Sequence, residues 1–262
     1  MVTLVVDRVS KTYGKKAVLT DVSFAVEEGS VVGLLGPNGS GKSSTLHVIA
    51  GLTKPSGGSV YLESRSGKRR HLPAIGFCPD DLPQPELLTA QEYLDLMQGI
   101  RGIRVSDDII WMLLTGFRLQ GHRNELIGSF SHGMKRKLQV VGALLHLPSV
   151  LVLDEPFRGL DPESSAIMHQ LITGYVDHGN AVLISTHDLS LAERLCDRIV
   201  VLESGRVLHS GRTADVVAIH GRTTLEESFL ALTGLDVVVD ESIRLFFEGL
   251  GELRAAHRRG AS

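Results

Sequence analysis

Cysteine is nearly absent: only Cys78 and Cys196 occur in 262 residues. Two thiols cannot build a disulfide framework or a cysteine-rich zinc site, and their scarcity points to a reducing compartment, the cytosol. An excess of positive charge is missing too. With 27 lysines and arginines against 30 aspartates and glutamates the formal charge is -3, so no overall field holds a polyanion such as nucleic acid without local help. No stretch approaches the ~18 to 20 apolar residues needed to cross a bilayer. The N-terminal run "MVTLVVDRVSKTYG" meets charge at Asp7 and Arg8. The chain is therefore expected to be neither secreted nor membrane-spanning. Internal repeats and low-complexity linkers are also lacking, which leaves a single unit: one core, or one core with a smaller subdomain, in a chain that is 43% hydrophobic.

What is present alternates. The runs "VTLVV", "VSFAV" and "VVGLL" read as strands; a glycine-rich turn and a helix from about Lys42 to Ala50 follow, with Gly51 at its C-terminal cap. "GSVYLE" begins a hairpin whose turn, "SRSGKRR", reads as a solvated loop rather than a basic patch. After "AIGFC" the period becomes helical. "LTAQEYLDLMQGI" sets Thr89 and Glu92 at capping-box spacing, and "SDDIIWMLLTGF" and "SHGMKRKLQVVGALLH" continue the helical pattern. The strands "VLVLDE", "AVLIS" and "RIVVLESGRVLHSG" then alternate with helices, as parallel α/β sheets do. The expected fold is α/β, a P-loop core with an N-terminal antiparallel β subdomain and an α-helical subdomain inserted at about 82–147. Residues 235–262 form an extension with partly amphipathic helical character and a basic end.

The strongest chemistry lies in "GPNGSGKSS", residues 36–44. Gly36, Gly41, Lys42 and Ser43 fit G-x-x-x-x-G-K-[ST] between an apolar strand and a helix. Along Gly36, Pro37, Asn38, Gly39, Ser40 and Gly41 the backbone N–H groups can turn onto phosphate oxygens. Lys42 offsets charge on the terminal phosphates, the Ser43 hydroxyl can ligate Mg²⁺, and Ser44 continues the site. A second component is "VLVLDEP". Its strand ends on Asp154, suited to hold Mg²⁺, and Glu155, suited to orient or deprotonate an attacking water. Together the two motifs predict metal-assisted phosphoryl transfer to water, with ATP as substrate.

The segments "GPNGSGKSS", "FSHGMKRK", "LVLDEPFRGLDP" and "VLISTHD", in this order over residues 3–233, resemble the ATP-binding-cassette (ABC) transporter ATP-binding proteins. That resemblance implies an ABC ATPase cassette over residues 1–234. It implies that Tyr13 stacks on adenine, that Asp161 sits in the loop linking two cassettes, and that His187 contacts the γ-phosphate. It also implies that "SHG", Ser131 to Gly133, contacts ATP held by the opposite cassette of a head-to-tail dimer. Read alone, Tyr13 is a packed strand aromatic, His187 a cap for the helix near Asp188, and Asp161 an N-cap before Pro162.

The chain departs from the family pattern in its signature and in the loop after "IGFC". His132 replaces a glycine of the usual L-S-G-G-Q. Asp80 in "IGFCPDD" replaces a glutamine in a loop that normally senses nucleotide and contacts the membrane partner. Asp80 can offer an oxygen to Mg²⁺, which predicts a tighter metal dependence. The resemblance further implies a separate integral membrane permease, a second cassette in a homodimer or heterodimer, and a place on the cytoplasmic face of the membrane. The variant signature, the short helical insert and "TLEESFLALTG" look most like cassettes of two-component ABC-2-type exporters. The alternative is a soluble ABC ATPase of nucleic-acid repair or translation, for which the expected coiled-coil or zinc insertions are not seen.

Overall fold

In the computed structural model, residues 2–64, 69–70, 75–80, 83–236, 241, 244 and 246 are described. The chain divides into two compact units, residues 1–212 and 213–262.

The first unit opens with the antiparallel strands β1 (Val2–Tyr13) and β2 (Lys16–Val26). In β2 buried and open positions alternate toward its C-terminal end, the period of a strand with one face on the core. Next come β3 (Val31–Leu35), α1 (Lys42–Ile49), β4 (Gly57–Ser64), the short β5 (Arg69–Arg70) and β6 (Ile75–Cys78). The hairpin turn "SRSGKRR" lies mostly outside the described residues. Three helices then intervene: α2 (Ala90–Arg101), α3 (Asp107–Gly116) and α4 (His132–Leu144). The chain re-enters the sheet with β7 (Val150–Asp154), α5 (Pro162–Asp177), β8 (Ala181–Ser185), α6 (Leu189–Leu195), β9 (Arg198–Glu203) and β10 (Arg206–Arg212).

Two sheets result, ordered β2-β1-β4-β5 and β10-β9-β3-β8-β7-β6. The first is antiparallel; in the second all neighbours run parallel except the edge pair β9–β10. Every residue of β3, β7 and β8 is buried. Parallel strands covered on both faces need such continuous apolar runs, which is why "VVGLL", "VLVLD" and "AVLIS" carry little polarity. The core joins both sheets: Leu4, Val6 and Leu62 of the first pack with Leu34, Val152 and Leu183 of the second and with Leu46 of α1.

The helix boundaries follow their caps. The Thr89 side chain accepts from Glu92 N–H while Glu92 Oε2 accepts from Thr89 N–H at 2.8 Å, the expected capping box. Asp161 caps α5 through Ser164 N–H at 2.7 Å, with Pro162 in the first turn. The first helix ends at Ile49 with Ala50 rather than the expected Gly51 as its C-cap, and Gly51 follows in the left-handed region with φ 73°. Backbone N–H donors, from Thr89 to Glu92 and from Ser164 to Asp161, hold both carboxyls below their usual range. A carboxyl depressed in the folded state contributes stability in full above the unfolded value of about 4, and that contribution fades as pH falls through the lower folded value. The thermal midpoint is accordingly expected to drop from about pH 5 to about pH 3, with a shallower slope in Glu92→Gln. An unchanged slope in that variant would remove the capping box from the acid response.

Both cysteines are buried and neither is in a disulfide. Burial pushes the Cys78 and Cys196 thiols up to about 11 and about 12, which makes them poor nucleophiles at neutral pH.

The second unit holds α7 (Thr213–Val217) and α8 (Leu225–Thr233), tied by Ser228 Oγ donating to Val217 O at 2.7 Å. The sequence-derived boundary at residue 234 falls within this unit, at the left-handed C-cap Gly234 of α8. The extension 235–262 lies largely outside the described residues.

Candidate functional site

Strand register decides which side chains meet. Leu34 pairs with Ser185, Ser185 with Asp154, and Leu153 with Cys78. The loops after β3, β6, β7 and β8 therefore leave the sheet side by side at the carboxyl ends of parallel strands, where open α/β sheets place ligands. Among the described residues, a cleft of about 640 Å³ there is lined by Asn38, Gly39, Gly41, Lys42, Ser43, Ser44, Asp80, Asp154, Glu155, Arg158 and His187, with Lys16 and Val18 of β2.

The loop of residues 36–41 wraps closely. A Cβ at Gly36 would stand 2.2 Å from Leu202 O and 2.5 Å from Ser40 Oγ, so only glycine fits. Ser40 Oγ is buried with no hydrogen-bond partner among the described residues. A close-fitting backbone and an unsatisfied buried hydroxyl suit a ring of donors built to hold phosphate oxygens. Lys42 Nζ arches back over the loop and donates to Gly36 O at 2.7 Å and Pro37 O at 3.2 Å. Burial lowers its pKa, opposed by the carboxylates of Glu155 and Asp154 across the cleft.

The two acids differ in setting. Asp154 is buried and accepts from Ser185 Oγ. Glu155 adopts φ 48°, a left-handed conformation rare for a side chain of its size. Its N–H donates to Ser185 O at 3.2 Å and Ser185 Oγ at 3.1 Å, and its carbonyl accepts from Arg136 Nη2 at 2.9 Å. These bonds hold the strained turn that points its carboxylate at the His187 imidazole, where Oε2 lies 2.9 Å from Nδ1. His187 does not cap the next helix: Asp188 does, accepting from Leu191 N–H at 2.8 Å.

Arg136 is the unexpected member. Its side chain is 2% exposed, and Nη2 reaches Asp80 Oδ1 at 3.0 Å and Asp154 O at 3.2 Å, while Nη1 reaches Pro79 O. One guanidinium thus ties the end of β6 to the end of β7. Asp80 Oδ2 accepts from Arg158 Nη1, so both of its oxygens are engaged by arginine. The three cations after the "SHG" stretch diverge around the helix axis. Lys135 goes to Glu86 at 2.6 Å, Arg136 to the cleft floor, and Lys137 is buried and acts on Asp161.

The remaining sequence-derived residues stand outside the cleft lining. Tyr13 is 46% exposed at the end of β1, under Lys11 Nζ at 4.8 Å from its ring centroid. Ser131 caps α4 by accepting from Met134 N–H at 3.2 Å. Gly133 lies so near α5 that a Cβ would meet Ser164 Oγ at 2.9 Å. His132 reaches Arg158 O at 3.3 Å and lines a neighbouring groove of about 420 Å³ with Asp80, Lys135 and Arg136.

Residues 19–158 match the family described as ABC transporter. The chain belongs to that family. The cassette is 36% identical over 244 residues to human ATP-binding cassette sub-family A member 6, across 92% of this chain and 15% of that protein. It therefore spans less than a sixth of such relatives. It is 37% identical over 219 residues to Nod factor export ATP-binding protein I of Rhizobium etli, across 80% of this chain and 68% of that one. A solved ATP-binding subunit of an ABC transporter shares the fold with a TM-score of 0.78 and 34% identity, over 88% of this chain and 99% of that one. The cassette is an ATP-binding ATPase, the chemistry its family shares, on the expected α/β P-loop fold.

Sequence reading missed Arg136, Arg158, Ser185 and Lys16 in the cassette. Ser185 had a signal, as the one hydroxyl ending an otherwise apolar strand two residues before His187. No helix among the described residues is long and apolar enough to cross a membrane.

Proposed function

We propose that this cassette, residues 1–234 with an extension at 235–262, powers export through a separate membrane permease at the cytoplasmic face. Two cassettes close on two ATP molecules and reopen after hydrolysis. The observation that carries the reading is the convergence of Lys42, Ser43, Asp154, Glu155 and His187 on one cleft. Export rests on the similarity to a Nod factor export protein and on sub-family A relatives.

In this reading the loop of residues 36–44 binds the phosphates, Lys42 neutralises the terminal charge, and Tyr13 stacks on the adenine. Ser43 and Asp154 hold Mg²⁺, a donor pair that suits an ion coordinated by few protein oxygens together with phosphate. Bound there, the ion neutralises charge on the phosphate oxygens. Glu155 takes the proton of the attacking water, and His187 orients that carboxylate and contacts the γ-phosphate. Asp80 is reassigned. Both its oxygens are on guanidinium groups, which offset the charge it adds beside Asp154 and Glu155, so the metal is left to Ser43 and Asp154.

Ser131, His132 and Gly133 complete the partner cassette's site, and Asp161 sits in the loop between cassettes. Ser131→Arg is expected to keep the isolated chain's ATP affinity and abolish hydrolysis in the permease complex, measured as phosphate release after co-purification with the membrane partner. Normal hydrolysis by that complex would remove the signature from the site.

A further inference from the structure

Arg158 stands three residues beyond Glu155, and its N–H donates to Glu155 O at 3.1 Å. One turn thus presents both side chains to the cleft, where Arg158 lines the wall with Lys42, Ser43 and His187. The two arginines that hold Asp80 are unlike each other. Arg136 is 2% exposed and pinned by backbone carbonyls, whereas the Arg158 side chain is 58% exposed and projects from a loop. Asp80 is only 21% exposed, but the guanidinium end of the pair is open to water, which screens it, and a long stem must be ordered to make it. A phosphate in a cleft offers more charge and a bidentate fit to the same fork.

We propose that Arg158 is a phosphate-binding residue held in reserve by Asp80. The terminal phosphate of ATP draws its guanidinium off Asp80 Oδ2 and onto its own oxygens. ADP, one phosphate shorter, leaves the ion pair closed. The inference rests on the nucleotide reading of the cleft and gives that site a way to tell ATP from ADP. When the pair opens, Asp80 keeps only Arg136, so the state of the nucleotide is written into the loop after β6.

The test is calorimetric binding of a β,γ-imido analogue of ATP and of ADP to the full chain. Arg158→Gln is expected to weaken the analogue about tenfold and leave ADP within about twofold, and Arg158→Lys to recover part of the loss. Asp80→Asn is expected to tighten the analogue several-fold while Arg158 is present and to have no effect in the Arg158→Gln background. An equal loss for both nucleotides would make the ion pair a structural staple and overturn the proposal. Tightening by Asp80→Asn that persists without Arg158 would reduce it to plain charge removal and overturn it equally. Lys42→Ala separates the two levels. If that variant loses both nucleotides while the Arg158 variants shift neither, the reserve role alone fails; if it binds both as before, the cleft reading falls and takes this inference with it.

Discussion

Glu155→Gln is expected to bind ATP as the unsubstituted cassette does and to lose a factor of about 10² to 10⁴ in turnover, the usual weight of a positioned general base. Glutamine keeps the length and shape of the side chain and can still meet His187, so the phosphate loop, Lys42 and Ser43 are undisturbed. What disappears is a carboxylate able to accept a proton. The structure invests in that carboxylate's direction: the backbone is held at φ 48° by bonds to Ser185 and Arg136, and its Oε2 meets the imidazole at 2.9 Å. Strain maintained by several independent contacts at a cleft suits a group whose aim matters. Single-turnover phosphate release, with nucleotide affinity measured separately, distinguishes lost chemistry from lost binding. Turnover near that of the unsubstituted protein would take the general-base role away from Glu155.

Arg136→Met is expected to cost about 3–5 kcal/mol of stability, the range found when one partner of a buried ion pair is deleted. Methionine fills much of the volume, so the loss reports the unmet acceptors rather than a cavity. Six groups lose a donor: the carbonyls of Pro79, Asp154 and Glu155, the Asp80 carboxylate, Gln139 Oε1 and, more weakly, the Cys78 sulfur. Arg136→Lys is expected to recover little, since one ammonium cannot span the ends of two strands as a planar fork does. Asp80→Asn added to Arg136→Met is expected to return part of the loss by removing a charge that has lost one of its two guanidinium partners. Urea denaturation of the single and double variants checks this, and a loss below about 1 kcal/mol for Arg136→Met would show that the fork contributes little net stability.

What could be read from the sequence was local. The capping box at Thr89 and Glu92 and the Asp161 cap before Pro162 each depend on residues a few places apart, and both formed. The glycine-rich loop and the acids ending "VLVLDE" were legible for the same reason: a strand, a turn and a helix fix their placement within one short segment. Arg136 was not legible. In sequence it belongs to a basic run on a helix, and its burial depends on Asp80, 56 residues away, and on a parallel register no local period encodes. Asp80 read alone looked like an oxygen open to Mg²⁺, because the two guanidinium groups that engage it come from α4 and from the loop after β7. Tyr13 shows the converse case: its motif position was readable, whereas its contact with Lys11 belongs to side-chain geometry.

The helix that begins at Ser131 is bolted at Arg136 to the ends of β6 and β7. Five residues of α-helix are only about 7–8 Å of rigid rod. Its exposed tip and the floor of its own cleft therefore move as one lever. If the proposed head-to-tail pairing holds, a tilt of the floor by a fraction of an ångström swings the tip, and a cassette tells its neighbour what it holds by changing how it offers its hand.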